Sequence, residues 1–204
     1  SGPIALSDCV PIFERMGLFV VFESGYPITP SEKPVPHAPE TYWVHALSLR
    51  RMDQAEIDLD SVQAPFEASF VAVWGGEAEN DGFNGLVLNA GLDWREAALC
   101  RTLCAYRQQT GMDPARETQI EALKEYPDIT LKLIGLFATR FDPGLGRDLF
   151  DRAQAANGIR QQIDEALRNV ASLSHDRVLR RLADLIEAIT RTNFYQRDQN
   201  GDAL

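Results

Sequence analysis

The sequence predicts an α+β chain, in which a small αββα unit with an antiparallel sheet precedes a larger all-α region. Seven of the eleven prolines lie in the first 39 residues, so the front of the chain is divided into short elements. Two short runs within this front part are rich in β-branched and aromatic residues, which favour strands. The rest of the chain carries apolar residues at steps of three and four, which is typical of helices buried on one side.

The front of the chain is predicted to run from a helix into two strands. Ser7 is a good N-cap and Gly17 is placed to end this first helix. Residues 18–22 are predicted to form a buried strand, and residues 41–50 a second one. Because proline donates no hydrogen bond, we expect no regular pairing between residues 25 and 39. Alternation gives the second strand a face made of Trp43, His45, Leu47 and Leu49.

The first half of the helical region is predicted from helix start and stop signals. A helix over residues 61–74 is expected to cover the two strands. Asp93 and Glu96 follow the capping-box pattern, with Asp in place of Ser or Thr. Asp113 followed by Pro114 has the pattern of an N-cap and a first helical residue.

Three more helices are predicted after residue 126. The first begins at Pro127 and is stopped by the Asp-Pro pair at residues 142 and 143. The second carries one apolar stripe: Leu149, Ala153, Ala156, Ile163, Ala166, Leu167 and Val170. The third starts at Ser174 and carries another stripe: Val178, Leu179, Leu182, Leu185, Ile186 and Ile189.

Composition divides the chain and excludes several classes of protein. We expect a unit over residues 1–60, a helical domain over 61–195 and a disordered tail over 196–204.

The net charge of −10 excludes a non-specific binder of nucleic acid or anionic membranes. The apolar runs are too short for a membrane span. Three cysteines are too few for a disulfide framework and indicate a cytoplasmic protein. The chain begins Ser-Gly-Pro, so we expect a piece of a longer protein.

Residues that could carry chemistry do not form a catalytic or metal-binding pattern. The histidines lie far apart, at positions 37, 45 and 175, and we interpret His45 as a half-buried structural residue. Cys100 and Cys104 lie one helical turn apart, but two small core residues are the favoured interpretation. Residues 77–82 follow part of a calcium-loop spacing, yet position 12 would be Leu88 instead of glutamate. We therefore predict no catalytic residue and no metal site.

An acidic turn between two helices is bracketed by Gly75, Gly76 and Gly82. Glycine stops a helix by adopting a left-handed conformation. We predict that these three residues form a structural joint that aims one helix at the next. The acidic side chains of the turn are expected to face water or a basic patch elsewhere in a longer chain.

Three groups of stretches resemble one family of enzymes. They are WGGEAENDGFN (74–84) with AGLDWRE (90–96); ASLSHDRVLRRL (171–182) with LIEAITRTNFYQ (185–196); and LSDCVPIFERMGL (6–18). The first group resembles the helical region of the large bacterial NAD-specific glutamate dehydrogenases. The second resembles the segment before their catalytic domain, and the third is similar to the helix-to-strand unit of their ACT-like domain.

The resemblance implies a long cytoplasmic homo-oligomer that oxidatively deaminates glutamate to 2-oxoglutarate and ammonia with NAD. The glutamate and NAD sites lie downstream in that family, so no catalytic residue carries over and no cofactor is expected in these residues. The partners implied are other domains of the same long chain, with neither nucleic acid nor membrane. A complete ACT domain runs βαββαβ, so its first strand would precede residue 1, and we identify no last strand.

Three functions remain open at this stage. The first is a non-catalytic regulatory and architectural segment of a glutamate dehydrogenase. The second is an ACT-type amino-acid-binding module, in which the loop entering the first helix would present amides that suit a carboxylate. The residues of that loop are Gly2, Pro3, Leu6, Ser7 and Asp8. The third is a helical oligomerisation scaffold.

Overall fold

A computed structural model describes residues 4–31, 40–111, 113–146, 148–197 and 199. About 61% of these residues are helical, and one two-stranded antiparallel sheet lies near the N-terminus, which confirms the predicted fold class. The elements are α1 (Leu6–Arg15), β1 (Leu18–Ile28), β2 (Tyr42–Arg51), α2 (Leu59–Trp74), α3 (Leu86–Ala90), α4 (Trp94–Gln108), α5 (Arg116–Glu125), α6 (Pro127–Phe141), α7 (Leu149–Leu167) and α8 (Leu173–Ala188). Single 3₁₀ turns cover Gly82–Gly85 and Pro143–Leu145.

The two strands pair from end to end except for an irregularity in register at Val21, and β1 is longer than the sequence predicted. Leu18 lies opposite Arg51, and Ile28 lies opposite Tyr42. The expectation that pairing stops before residue 25 is therefore wrong for residues 25–28. A two-stranded sheet has an open edge on each strand, and proline is tolerated on such an edge, which accounts for Pro27. Residues 32–39 of the predicted irregular segment lie outside the described residues.

Helices α1 and α2 cover one face of the sheet at its α1 end. The Phe13 ring stacks on Phe70 with centroids 4.9 Å apart, and on Phe66 at 6.3 Å. Leu47 and Leu49 of β2 pack against this cluster, in agreement with the predicted apolar face of the second strand. The N-terminal unit is thus an αββα layer, as predicted.

The helical region is built around one contiguous apolar cluster, to which helices α4 to α8 all contribute. Its start signals are mostly those predicted. The Glu96 amide donates to Asp93 Oδ1 at 2.8 Å, and the Asp93 amide donates to Glu96 Oε2 at 3.0 Å, so the capping box is confirmed. Pro127 begins α6, and Asp142 follows its last residue, as predicted.

Three local predictions are wrong. The N-cap of α1 is Ala5, and the Ser7 hydroxyl instead donates to Asp8 Oδ1 at 3.3 Å. Asp113 does not cap a helix, because its carboxylate pairs with two arginines, and α5 begins at Arg116. Leu149, at 86%, and Ala153 are both exposed and do not belong to the buried stripe of α7, because they lie in its first turns, before the helix reaches the core at Ala156.

Helix α3 joins the N-terminal unit to the helical region through three successive side chains, each buried in a different cluster. Leu86 belongs to the large helical cluster. Val87 packs in a cluster with these residues: Ile12, Met16 and Val73. Leu88 packs in the cluster of Cys9, Phe13 and Leu18. The core of the N-terminal unit is therefore completed by a helix that lies after α2 in the chain.

None of the described helices is both long enough and apolar enough to cross a bilayer. Of the tail predicted over 196–204, the structure describes residues 196, 197 and 199, and the others lie outside it.

Candidate functional site

The predicted amino-acid-binding loop is only partly described. Gly2 and Pro3 lie outside the described residues. Leu6, Ser7 and Asp8 form the first turn of α1, where Leu6 is exposed and the Asp8 amide donates to the Ala5 carbonyl at 3.0 Å. The Asp8 carboxylate stands in this turn and would oppose an anion. Ligand binding at these residues therefore stays a prediction.

The predicted joint has the backbone geometry of a helix stop. Gly75 is still right-handed at φ −74°, and Gly76 is left-handed at φ +79°. The Glu77 amide then donates back to the Ala72 carbonyl at 2.8 Å, which closes the end of α2. At Gly82 the constraint is space, because a Cβ there would lie 3.1 Å from the Ile120 side chain. The role of these glycines as a joint stays a prediction.

An ion cluster lies within the acidic turn, between Gly76 and Gly82, and centres on Asp81, whose side chain is mostly buried. Arg101 of α4 donates to this carboxylate through Nε at 2.6 Å and through Nη2 at 2.9 Å. Arg116 of α5 contacts the same carboxylate. Arg101 also donates to Asn84 Oδ1 at 2.9 Å, so its guanidinium joins the acidic turn to helix α4.

The Phe83 ring completes this cluster. Arg101 and Arg116 lie over the ring, at 5.8 and 5.5 Å from its centroid, while the ring itself is fully buried. Cation–π contacts of this kind strengthen when they are removed from water. The expectation that the acidic side chains face water therefore holds for Glu79, whose side chain is largely exposed, but differs from the structure for Asp81.

The Asp81 cluster was missed from the sequence, although one signal for it was present. Arg101 lies between Cys100 and Cys104, which were predicted to be core residues of one helix face, and it is itself buried on that side of α4. An arginine is almost never fully buried without a partner. A buried arginine on that face therefore calls for a carboxylate, and the nearest acidic stretch before α4 contains Asp81.

A second buried carboxylate, Asp113, ties α4 to α8. Arg107 donates to it through Nε at 2.7 Å, and Arg181 of α8 donates through Nη1 at 2.6 Å. Burial alone would raise the pKa of Asp113, but the hydrogen bonds from Arg107 and then Arg181 outweigh it and lower the pKa below its ordinary value. This group of Asp113, Arg107 and Arg181, called here the Asp113 clamp, therefore holds a charged carboxylate between two helices that are far apart in the chain.

The segment after α8 is anchored to α4 by Arg95. Its Nη2 donates to the Phe194 carbonyl at 2.6 Å, and its guanidinium lies 4.9 Å from the centroid of the Phe194 ring. An open cleft of about 1000 Å³ lies beside this contact and is lined by residues of α4 and of the 192–197 segment. Phe194 is thus held by both its backbone and its ring.

Aromatic packing strengthens the same anchor. Phe194 and Tyr195 both pack on Phe137 of α6, with centroid distances of 5.6 and 6.2 Å. Burial, with a smaller contribution from the Asp142 charge, raises the pKa of the Tyr195 hydroxyl to about 12. The chain therefore leaves α8 along a path that is fixed against both α4 and α6.

The cysteines and histidines have no geometry for catalysis among the described residues. Cys100 and Cys104 lie in the helical core, and burial raises the pKa of Cys100 to about 12 and that of Cys104 well above its usual value. His45 Nδ1 lies 2.7 Å from Glu23 Oε1, and its Nε2 is buried without a hydrogen-bond partner. In the described part of the chain no three His, Cys, Asp or Glu residues converge as metal ligands.

Three family models match successive parts of the chain. "Glutamate dehydrogenase, ACT3 domain" matches residues 1–62, and "Glutamate dehydrogenase, helical motif 3" matches residues 78–143. "Bacterial NAD-glutamate dehydrogenase, catalytic domain" matches residues 162–204. This last match begins earlier than the resemblance suggested, because residues 171–196 were expected to precede the catalytic domain. The Arg95 anchor therefore joins the helical-motif match to the catalytic-domain match.

Full-length relatives give the same result. The chain is 37% identical over 200 residues to the NAD-specific glutamate dehydrogenase of Halomonas elongata, and 38% identical over 202 residues to that of Pseudomonas aeruginosa. It is 31% identical over 199 residues to that of Mycobacterium tuberculosis. These alignments cover 94–98% of this chain but only 12% of each relative. The chain belongs to the NAD-specific glutamate dehydrogenase family.

Proposed function

We propose that this chain is a non-catalytic regulatory and architectural segment of an NAD-dependent glutamate dehydrogenase. The parent enzyme would oxidatively deaminate glutamate to 2-oxoglutarate and ammonia, with NAD bound outside these residues. It would be a cytoplasmic homo-oligomer, and the partners of this segment would be other domains of its own chain. Within the segment, residues 1–60 are the ACT-like unit, residues 61–195 the helical domain and residues 196–204 a tail.

One observation carries this proposal. The three side chains of α3 at positions 86–88 reach three different apolar clusters, so the ACT-like unit and the helical region share their packing. Packed interiors transmit displacement because they are dense and hard to compress. A shift of α1 would therefore move α3, and with it the helices that hold the chain leaving α8.

Polar contacts extend the same connection to the region matched by the catalytic-domain model. Asp81 fixes the acidic turn against Arg101 in α4, and Arg95 in the same helix holds the Phe194 carbonyl. Helix α4 thus contacts the acidic turn near its middle, through Arg101, and the segment that follows α8 near its beginning, through Arg95. This arrangement supports a role in positioning, since these side chains do not together provide the nucleophile, base and oxyanion donor that catalysis would need.

The test is to change the anchor in the full-length enzyme. We expect Arg95→Ala to lower kcat for glutamate-dependent NAD reduction several-fold while KM for glutamate and for NAD stays within about twofold, because a positioning contact acts without touching substrate. Arg177→Ala, at an exposed arginine of α8, is the matched control. Kinetics of Arg95→Ala identical to those of Arg177→Ala would refute the positioning role.

The 204-residue chain alone supplies a second test. We expect no formation of NADH above the protein-free blank at saturating glutamate and NAD, followed by absorbance. Turnover that scales with the concentration of this chain would show that the residues for hydride transfer lie within it, and the proposed division of labour would fail.

A further inference from the structure

The end of α8 has no capping signal in its own sequence. The last carbonyls of a helix have no partner within it and need donors from elsewhere. The final backbone bond of α8 runs from the Ile189 amide to the Leu185 carbonyl at 3.0 Å. In this helix, which is fully described, the last turn carries no basic residue, and Ile189 is extended and followed by threonine instead of glycine. The carbonyls after Leu185 therefore depend on donors from other elements.

Arg140, near the end of α6, supplies such donors. Its Nη2 donates to the Glu187 carbonyl at 2.9 Å and to the Ile189 carbonyl at 3.0 Å. Its guanidinium lies 5.3 Å from the centroid of the neighbouring Phe141 ring. Because one nitrogen holds two carbonyls that are two residues apart, the backbone is fixed on both sides of Ala188. Arg140 thus sets the direction in which the chain leaves α8.

The same end of α6 also holds the residues that follow. Phe137 lies three residues before Arg140, and both Phe194 and Tyr195 pack on its ring. Residues 187–195, called here the exit segment, are therefore seated on the C-terminal turns of α6 through backbone and aromatic contacts. The exit segment lies wholly within the part of the chain that the catalytic-domain model matches.

Arginine carries a cost at position 140. Its Nε is buried and has no hydrogen-bond partner among the described residues. A buried donor that is left unpaired lowers stability. The planar guanidinium, however, presents several donors in a fixed geometry, which suits a contact that must hold a direction. The cost therefore favours a role of Arg140 in geometry over one in stability.

We infer that Arg140 is a positioning residue for the catalytic domain of the parent enzyme, an inference that rests on the proposed function. Arg140 fixes the start of the exit segment from α6, and Arg95 fixes its end from α4 through the Phe194 carbonyl. With both ends held, the chain continues from α8 in one direction. Loss of the Arg140 contact would misalign the reacting groups without removing a contact to substrate, and small misplacements of this kind lower the rate.

Thr130 provides a matched control on the same helix. Its hydroxyl donates to the Leu123 carbonyl, in the last turn of α5, at 2.8 Å. This is again a contact from a side chain of α6 to a carbonyl at the end of another helix, but α5 lies outside the catalytic-domain match. Thr130→Val removes the contact and keeps the shape of the side chain. It should therefore reproduce a general loss of stability without disturbing the exit segment.

Hydrogen exchange of the 204-residue chain tests the structural part of the inference. Arg140→Met keeps the apolar stem of the side chain and removes its donors. We expect it to speed exchange at the Ile189 and Phe194 amides about tenfold relative to wild type. Thr130→Val should leave both rates unchanged. Unchanged rates in Arg140→Met, or the same increase in Thr130→Val, would overturn the inference.

Kinetics of the full-length enzyme test its consequence. Arg140→Met should lower kcat for glutamate-dependent NAD reduction about threefold or more, while KM for glutamate and for NAD stays within about twofold. Arg140→Lys, which keeps a charged donor, should retain a higher kcat than Arg140→Met, and Thr130→Val should match wild type. If Arg95→Ala loses activity and Arg140→Met does not, this inference is wrong and the proposed function still stands.

Discussion

The helical region and the N-terminal unit bury their apolar side chains in different ways. Helices α4 to α8 surround one cluster, and two buried ion clusters, around Asp81 and Asp113, tie them together. The N-terminal unit has two small clusters, and both include a side chain of α3. Its sheet also leaves one apolar face exposed. The helical region is thus largely complete in itself, whereas the N-terminal unit depends on contacts from outside its own elements.

This difference indicates how a small layer can be held in place within a longer chain. A two-stranded sheet alone is marginally stable in water and needs a covering layer of helices. Here Val87 and Leu88 of α3 complete the two clusters of that layer, so we expect the small unit to be ordered together with the helical region. Such dependence is useful for regulation, because a unit without its own complete core transmits changes to the region that completes it.

The largest expected effect concerns the helical core. Phe137→Ala should lower the free energy of unfolding by about 3–5 kcal/mol, because the ring is almost fully buried and packs against Phe141, Phe194 and Tyr195. Urea denaturation followed by circular dichroism measures the change. Phe150→Ala is the control and should change stability by less than about 0.5 kcal/mol, because this ring is 76% exposed. Equal effects of the two substitutions would contradict the described core.

The Asp113 clamp should give the next largest effect. Asp113→Asn should cost about 2 kcal/mol near neutral pH, less than for a fully buried pair, because the Arg181 side chain is 30% exposed. Asp176→Asn, which changes a surface pair one helical turn from Arg180, should cost less than about 0.5 kcal/mol. Chemical denaturation of the three proteins under identical conditions gives the comparison.

The pH dependence of the same variant has a definite sign. The folded state lowers the pKa of Asp113, so its stabilisation is present above the unfolded carboxyl pKa of about 3.9 and is lost as the pH falls through the folded value. The difference in unfolding free energy between wild type and Asp113→Asn should therefore shrink below about pH 4. A difference that grows as the solution is acidified would contradict the clamp.

A smaller change in stability is expected at the joint, where Gly76 can be compared with Gly158, a glycine inside a helix. Gly76→Ala should destabilise by about 1 kcal/mol, because the residue has φ +79° and nothing else lies near an added Cβ. Gly158→Ala, inside α7 and equally open, should stabilise by about 0.5–1 kcal/mol, since alanine favours a helix. The melting temperatures of both variants, each compared with that of the unchanged chain, test this pair of predictions. Stabilisation by Gly76→Ala would show that no left-handed residue is needed at the end of α2.

The smallest effect is expected at the exposed part of the acidic turn. Glu79→Gln should change stability by less than about 0.5 kcal/mol, because its side chain is largely exposed and lies 3.7–3.8 Å from Arg101 and Arg116. Calcium or magnesium should leave the melting temperature unchanged. A metal-dependent rise that Glu79→Gln abolishes would instead identify the turn as a cation site.

Local signals predicted those parts of the fold that depend on neighbouring residues. The capping box at Asp93, the start of α6 at Pro127 and the end of α1 just before the left-handed Gly17 all follow from short-range chemistry. Asp113 followed by Pro114 was an equally good local signal for the start of a helix. Its carboxylate instead pairs with Arg107 and with Arg181 of α8, so it is not available to cap a helix. Pairing at Pro27 and the Asp81 cluster were missed for the same reason, because each depends on residues that are distant in the chain.

Hydrogen exchange under native conditions tests most directly the claim that α3 makes the N-terminal unit and the helical region one cooperative structure. We predict that the most protected amides of α1 and α6 open with free energies within about 1 kcal/mol of each other. Leu88→Ala should lower both by the same amount, about 2–4 kcal/mol. If α1 exchanges at a much lower free energy than α6, or if Leu88→Ala lowers only α1, the two regions are independent and the account is wrong.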